Sequence, residues 1–344
     1  MPDNRRYLVI GNGFDLAHGL PTKYQDMLSA LKTAYKQLYQ ITPCSDPPRW
    51  ITGDQCDKYW ANPLIQYFLL QTDLNGWTDF ERELAYILHE FLSAPPKEST
   101  FERPNGQTRF NTFYPVPLFK SENKLHAEKK ISELLDLMKK HLDDLIEFIN
   151  LYLSKYLPTI KITQIPSFLY RNLYHGIVSF NYTFTYHCIV EIIKLKTEPT
   201  INFIHGHSSV DHNSSPNIVL GIEDDEPNDL RTVYFKKYFQ RIQKKTQRFY
   251  RTWYEPPRKD IYCLTDFYGH SLDLSDKDIL LYILNHSKQT RIFFLDQKDY
   301  EEKIINLIQI LDSPEEFERR YYSEEIVFKP IPKPDSLDRF IPCE

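Results

Sequence analysis

Residues 7–22 constrain this chain more than any other stretch. Tyr7, Leu8, Val9 and Ile10 form a short apolar run that opens directly into Gly11-Asn12-Gly13, and Pro21-Thr22 then leads into a helical pattern. A buried strand that turns on glycines and feeds a helix is the opening unit of an open parallel α/β sheet. Glycine suits the turn because it lacks a Cβ, which permits tight geometry and close approach of the backbone to another group, a phosphate included. With Gly19 as the third glycine the spacing is G-x-G-x5-G, so it departs from the G-x-G-x-x-G of dinucleotide dehydrogenases. On spacing alone, a nucleotide site and a purely structural turn both stay open.

The rest of the chain extends this unit. Thr22 and Gln25 fit a capping box for a helix whose Leu28, Leu31, Tyr35 and Leu38 recur at helical spacing. Residues 41–173 read as a mainly helical insertion, with apolar helical faces over 58–93 and 126–155 and a proline-rich stretch between them. Apolar runs at 177–180, 201–204, 218–220, 261–268 and 291–295 predict strands, and helices are expected over 184–195, 229–251, 274–287 and 298–312. This alternation predicts a parallel sheet with helices on both faces. It is built from residues 1–40 and 174–312, with 313–344 as a C-terminal tail.

Composition narrows the function classes. A net charge of −5 gives no global reason to expect nucleic acid as a partner. Five scattered cysteines without a C-x-x-C pair argue against a disulfide framework and against structural zinc. The apolar run after Arg5-Arg6 is too short for a signal-peptide core, and no stretch approaches the roughly 18–20 apolar residues that span a bilayer. A cytoplasmic protein with no membrane partner is expected.

Three further segments close predicted strands, where ligands collect in open α/β sheets. Ser179-Phe180-Asn181-Tyr182-Thr183 places Asn181 there, although Asn also caps helices. Ile204-His205-Gly206 places an imidazole there, whose ordinary pKa of about 6.5 suits a general base, although a lone His after a strand is more often structural or solvated. Tyr268-Gly269-His270-Ser271-Leu272 is the third, with Ser271 or Asp273 able to cap the next helix. His207 and His212 add an H-x-H pattern near His205, with no well-spaced third metal ligand.

In register and order these segments resemble the sirtuins, whose first motif reads G-A-G-I-S, three residues, then G-I-P, and whose later ones are T-Q-N-I-D, H-G and G-T-S-L. The opening Gly-Asn-Gly-Phe-Asp-Leu-Ala-His-Gly-Leu-Pro-Thr more closely resembles the AbiH family of bacterial phage-defence proteins, a likeness that also takes in Trp77-Thr78-Asp79-Phe80-Glu81. The resemblance implies a sirtuin-like, Rossmann-type sheet with a large helical insertion, and NAD as substrate or ligand. It implies Asn181 and His205 as catalytic groups, and Gly11, Asn12, Gly13, Phe14, Asp15, Gly269 and Ser271 as cofactor-binding. Two departures stand out: the sirtuin zinc module is absent, so zinc is not expected, and Asp15 replaces a serine, where it either binds ribose hydroxyls or repels phosphate. The implied activity is hydrolysis of the nicotinamide–ribose bond in abortive infection, with a phage or host protein as trigger and self-association left open. The alternatives are a nucleotide-binding sensor without turnover and a metal-dependent nuclease using Asp224, Asp225 and Glu226.

Overall fold

The computed structural model describes residues 4–41, 46–75, 80–92, 124–195, 198–209, 216–222, 230–246, 249–254 and 262–336. The chain forms two compact units: residues 1–22, 157–208 and 244–344 make the first, and 23–156 with 209–243 the second.

The first unit is a sheet with helices on both faces. Its strands are β1 (Asn4–Ile10), β2 (Gly176–Ser179), β3 (Thr200–Phe203), β4 (Tyr262–Tyr268), β5 (Gln289–Phe294) and β6 (Ile326–Pro330). All pairings are parallel, in the order β3-β2-β1-β4-β5-β6. Apolar runs without alternation are what such strands require, because helices cover both faces. Side chains alternate accordingly. Leu8, Ile10, Ile177, Tyr268 and Phe293 pack with Phe14, Leu169, Tyr170, Tyr186 and Ile189 on one face. Tyr7, Val9, Val178, Phe180, Phe267 and Ile292 pack with Tyr254, Ile279, Ile283, Leu307 and Ile310 on the other.

A buried carboxylate interrupts the apolar strands. Asp266 on β4 is fully buried, opposite Arg291 on β5, whose guanidinium meets both carboxylate oxygens; the Tyr174 hydroxyl donates to Oδ2 at 2.8 Å. Both carboxylate oxygens are therefore paired, which a buried carboxylate needs to offset its lost hydration.

Four local expectations differ from the structure. The helix expected over 229–251 is instead a 3₁₀ segment at Leu230–Phe235 and separate helices at Lys237–Gln243 and Tyr250–Tyr254. Residues 218–220 are buried but form no strand, because the Gln240 side chain takes the place of a ladder: its Oε1 accepts from Leu220 N–H at 2.9 Å and its Nε2 donates to the Leu220 carbonyl at 2.8 Å. The region after residue 312 supplies helix Pro314–Tyr322 and the sixth strand, whose partly exposed pattern and terminal Pro330 suit an edge position. Helix Tyr24–Leu38 starts after Lys23, whose N–H bonds the Asp26 carboxylate, while Thr22 instead donates to the Asn12 side chain.

The second unit is mainly helical: Tyr24–Leu38, Gly53–Trp60, Pro63–Asn75, Phe80–Leu92, Lys124–Leu151 and Lys237–Gln243, with a π-helical turn at Tyr152–Tyr156. Phe80 anchors its core against Phe68 at 4.6 Å between ring centres, and Glu81 pairs with the buried Lys237 at 2.8 Å. These contacts account for two residues of the 77–81 motif; Trp77, Thr78 and Asp79 lie outside the described residues. Among the described residues no helix is long and apolar enough to cross a membrane.

Asp266→Ala strands a partly exposed guanidinium and a buried tyrosine hydroxyl, so chemical denaturation should show a loss of about 2–3 kcal/mol. Replacing the pair together, Asp266→Leu with Arg291→Met, should recover much of it.

Candidate functional site

Beside β1 the sheet reverses its order of growth: β2 and β3 extend to one side, β4 to β6 to the other. The turns after β1 and β4 therefore meet at the carboxyl edge, and their glycines decide how. Gly11 N–H donates to the Tyr268 carbonyl at 3.2 Å, Gly13 N–H to the Gly269 carbonyl at 2.8 Å, and Phe14 N–H to the Gly11 carbonyl at 2.9 Å. A Cβ on Gly13 would lie 2.7 Å from Gly269 Cα, and one on Gly11 would lie 2.7 Å from His270 Cα. Gly269 itself has φ +67°, a conformation L side chains rarely adopt. The two turns thus touch backbone to backbone, and the Gly11, Gly13 and Phe14 N–H groups are donated within the fold. Asn12 is exposed with its side-chain oxygen accepting from Thr22, and Phe14 is buried in the core.

Above one face lies a carboxylate cluster. Asp15 is 1% exposed; its Oδ2 accepts from Thr183 Oγ1 at 2.7 Å, and Thr183 in turn accepts from Thr185 at 3.1 Å. Oδ1 has no hydrogen-bond partner. Burial pushes the carboxyl up to about 6, partly offset by the Thr185, Thr183 and Asn181 side chains. Its other titratable neighbours are neutral. Burial lowers His18 to about 4, so its Nδ1–H donates to the Phe14 carbonyl at 2.7 Å and Nε2 accepts from Tyr170 at 2.9 Å. Burial raises both the Tyr170 hydroxyl and the Cys188 thiol. Asn181 completes the cluster by donating from Nδ2 to the Gly11 carbonyl at 3.0 Å.

Above the other face lies an imidazole cluster. His205 is 5% exposed; its Nε2 stands at ion-pair distance, 2.9 Å, from Asp276 Oδ1, and neither ring nitrogen makes a hydrogen bond. The Phe180 ring meets His205 edge-on at 5.5 Å and His270 at 4.3 Å. Phe180 and Asn181, adjacent at the end of β2, thus link the two clusters. His18, Tyr170, Thr185 and Asp276 escaped sequence reasoning. His18 stands inside the opening motif, whereas Asp276 carries no local signal because only the fold brings it to His205.

Ser271 stands apart: it is exposed, and its carbonyl accepts from Asn306 at 3.1 Å. His207 points its Nδ1–H at the Ser208 carbonyl, 2.9 Å away. His212, Asp224, Asp225 and Glu226 lie outside the described residues, and among the described residues no group of three His, Cys, Asp or Glu side chains is placed to hold a metal.

The fold and this edge define a class: an open parallel α/β protein with buried carboxylate, amide and imidazole groups at the carboxyl ends of successive strands. Within it, the sequence profile of the family described as Bacteriophage abortive infection AbiH matches residues 7–296. The chain belongs to the AbiH family. No curated protein and no solved structure matches it.

Gly13→Ala forces a methyl into the Gly269 backbone and should cost about 1–3 kcal/mol in denaturant melts; a bulkier residue there reports on folding before it reports on any ligand. Asp15 has a folded-state pKa raised above its unfolded value, so its ionisation costs stability. That cost is absent near pH 4 and reaches about 3 kcal/mol above pH 6. Asp15→Asn should therefore unfold later than wild type at pH 8, by about 1–3 kcal/mol, with the margin closing towards pH 4.

Proposed function

We propose that this chain is an abortive-infection effector that binds NAD at the carboxyl edge of its sheet and hydrolyses the nicotinamide–ribose bond. Family membership supports the biological role. The strand order, which is that of dinucleotide-binding α/β sheets, and the sirtuin-like order of the motifs support the ligand. One observation carries the reading: Phe180-Asn181 joins a buried carboxylate cluster to a buried imidazole whose Nδ1 is unpaired.

Cleavage of this bond passes through an oxocarbenium-like state, so few covalent helpers are needed. The electron pair of the C–N bond leaves with neutral nicotinamide, water adds to the ribose carbon, and its proton goes to His205 Nδ1. Asp276, 2.9 Å from Nε2, orients the ring and offsets the charge it gains. Asn181, anchored on the Gly11 carbonyl, orients the sugar or the water. The diphosphate is not assigned to the glycine turn, whose Gly11, Gly13 and Phe14 N–H groups already have partners.

A second reading, a nucleotide sensor without turnover, is favoured by that same commitment of N–H groups and by the burial of both clusters. Incubation with NAD followed by chromatography for nicotinamide and ADP-ribose separates the two, repeated in phage-infected lysate. His205→Ala should lower turnover about 10²–10⁴-fold while leaving calorimetric NAD affinity intact. Asn181→Ala should also slow it, and the double variant should lose less than the product of the two. A His205→Ala chain that still arrests infected cells at full strength would put the sensor reading first.

A further inference from the structure

Asp15 is a peculiar choice if it only fixes a loop. Its Oδ2 already satisfies Thr183, which Thr185 backs, and that anchoring needs one acceptor oxygen. An asparagine would supply it without burying a charge. Yet the residue is a carboxylate whose second oxygen is buried and unpaired, and His18, Tyr170 and Cys188 around it supply no cation. Buried acceptors are normally paired, and leaving one open is costly. A strong, unused acceptor beside the Asn181 carboxamide, at the carboxyl edge of the sheet, suits a ligand that brings hydroxyl donors.

We propose that Asp15 is the sugar-recognition residue of this site: its Oδ1 accepts a ribose hydroxyl, which selects ribonucleotides over their 2′-deoxy counterparts. The inference rests on the nucleotide reading of the same edge. An anion such as a phosphate is repelled by this oxygen, whereas a hydroxyl gains a charge-assisted bond. Oδ1 is closed off from solvent, so a sugar reaches it only by displacing a neighbouring side chain, and affinity falls by the cost of that opening. Discrimination is sharp for the same reason: an analogue lacking the hydroxyl leaves a buried acceptor unpaired, and sites built on such bonds reject it strongly.

The test is calorimetry of the full chain with NAD and with two analogues, each lacking the 2′-hydroxyl of one of its riboses. Wild type should bind one analogue at least about 10-fold weaker than NAD. Asp15→Asn, confirmed folded by its melt, should bind that analogue and NAD alike. Thr183→Val, which keeps the carboxylate but loosens its anchor, should narrow the preference and serves if Asp15→Asn does not fold. Equal binding of all three by wild type overturns the proposal, as does a preference that survives in Asp15→Asn. Nicotinamide release is read separately. Discrimination by Asp15 without release sinks the hydrolase reading and leaves the sugar site standing. Release together with equal binding does the reverse, and binding of none of the three overturns both.

Discussion

The contact on which the site depends is made of backbone alone. Gly11 and Gly13 lie against Gly269 and His270 so closely that no Cβ fits between them, and two N–H···O bonds seal the approach. The sealed turns fix the path of the chain beyond β1 and β4. The Gly11 carbonyl, held in place by its bond from Phe14, becomes the anchor for Asn181, and the short helix Asn12–Ala17 carries Asp15 over one face. On the far side the β4 turn continues through Leu272, which is fully buried at φ 58°. Positive φ at a leucine costs about 1–2 kcal/mol. His270 offsets part of that by accepting the Leu272 N–H at 2.9 Å. Asp273 then caps the next turn through Ser275 N–H, which delivers Asp276 to His205.

The result is two polar clusters over two separate hydrophobic cores, linked by neighbouring residues of one strand end. Phe180 belongs to the core that holds His205, and Asn181 leans towards Asp15. A strand whose side chains alternate between faces does this automatically once it runs out of ladder partners. The carboxylate cluster leaves Asp15 Oδ1 without a hydrogen-bond partner while Oδ2 is held by Thr183, and the imidazole cluster leaves both His205 nitrogens without one, with Asp276 at ion-pair distance from Nε2.

Much of the fold was legible because its strands are continuous apolar runs, and burial on both faces leaves little else to decide. The errors have local causes. At 218–220 the pattern was that of a strand, but the Gln240 amide satisfied Leu220 first. Residues 326–330 carry the mixed pattern of an edge, which looks like a tail until a neighbour is known. The glycines were conspicuous but ambiguous: a turn that approaches a phosphate and a turn that approaches another turn both need the missing Cβ. Asn181 and His205 were visible as polar residues closing apolar runs. Asp276 was not, since a carboxylate in the first turn of a helix is commonplace for reasons unrelated to any imidazole.

The sheet also contains its own control for what a buried carboxylate is doing. Asp266 and Asp15 are both inaccessible, both in the first unit, and both hydrogen-bonded to a hydroxyl. Asp266 sits within a strand and has in addition a guanidinium bound at both oxygens, so its charge is matched where it lies. Asp15 sits beyond a strand end with neutral neighbours and an empty-handed oxygen, and burial pushes it up to about 6. A purely structural carboxylate is expected to look like Asp266, because selection for stability alone removes unpaired buried charge. The unpaired carboxylate oxygen lies at the carboxyl edge of the sheet, where α/β proteins place their ligands, which is the position the proposed sugar contact requires.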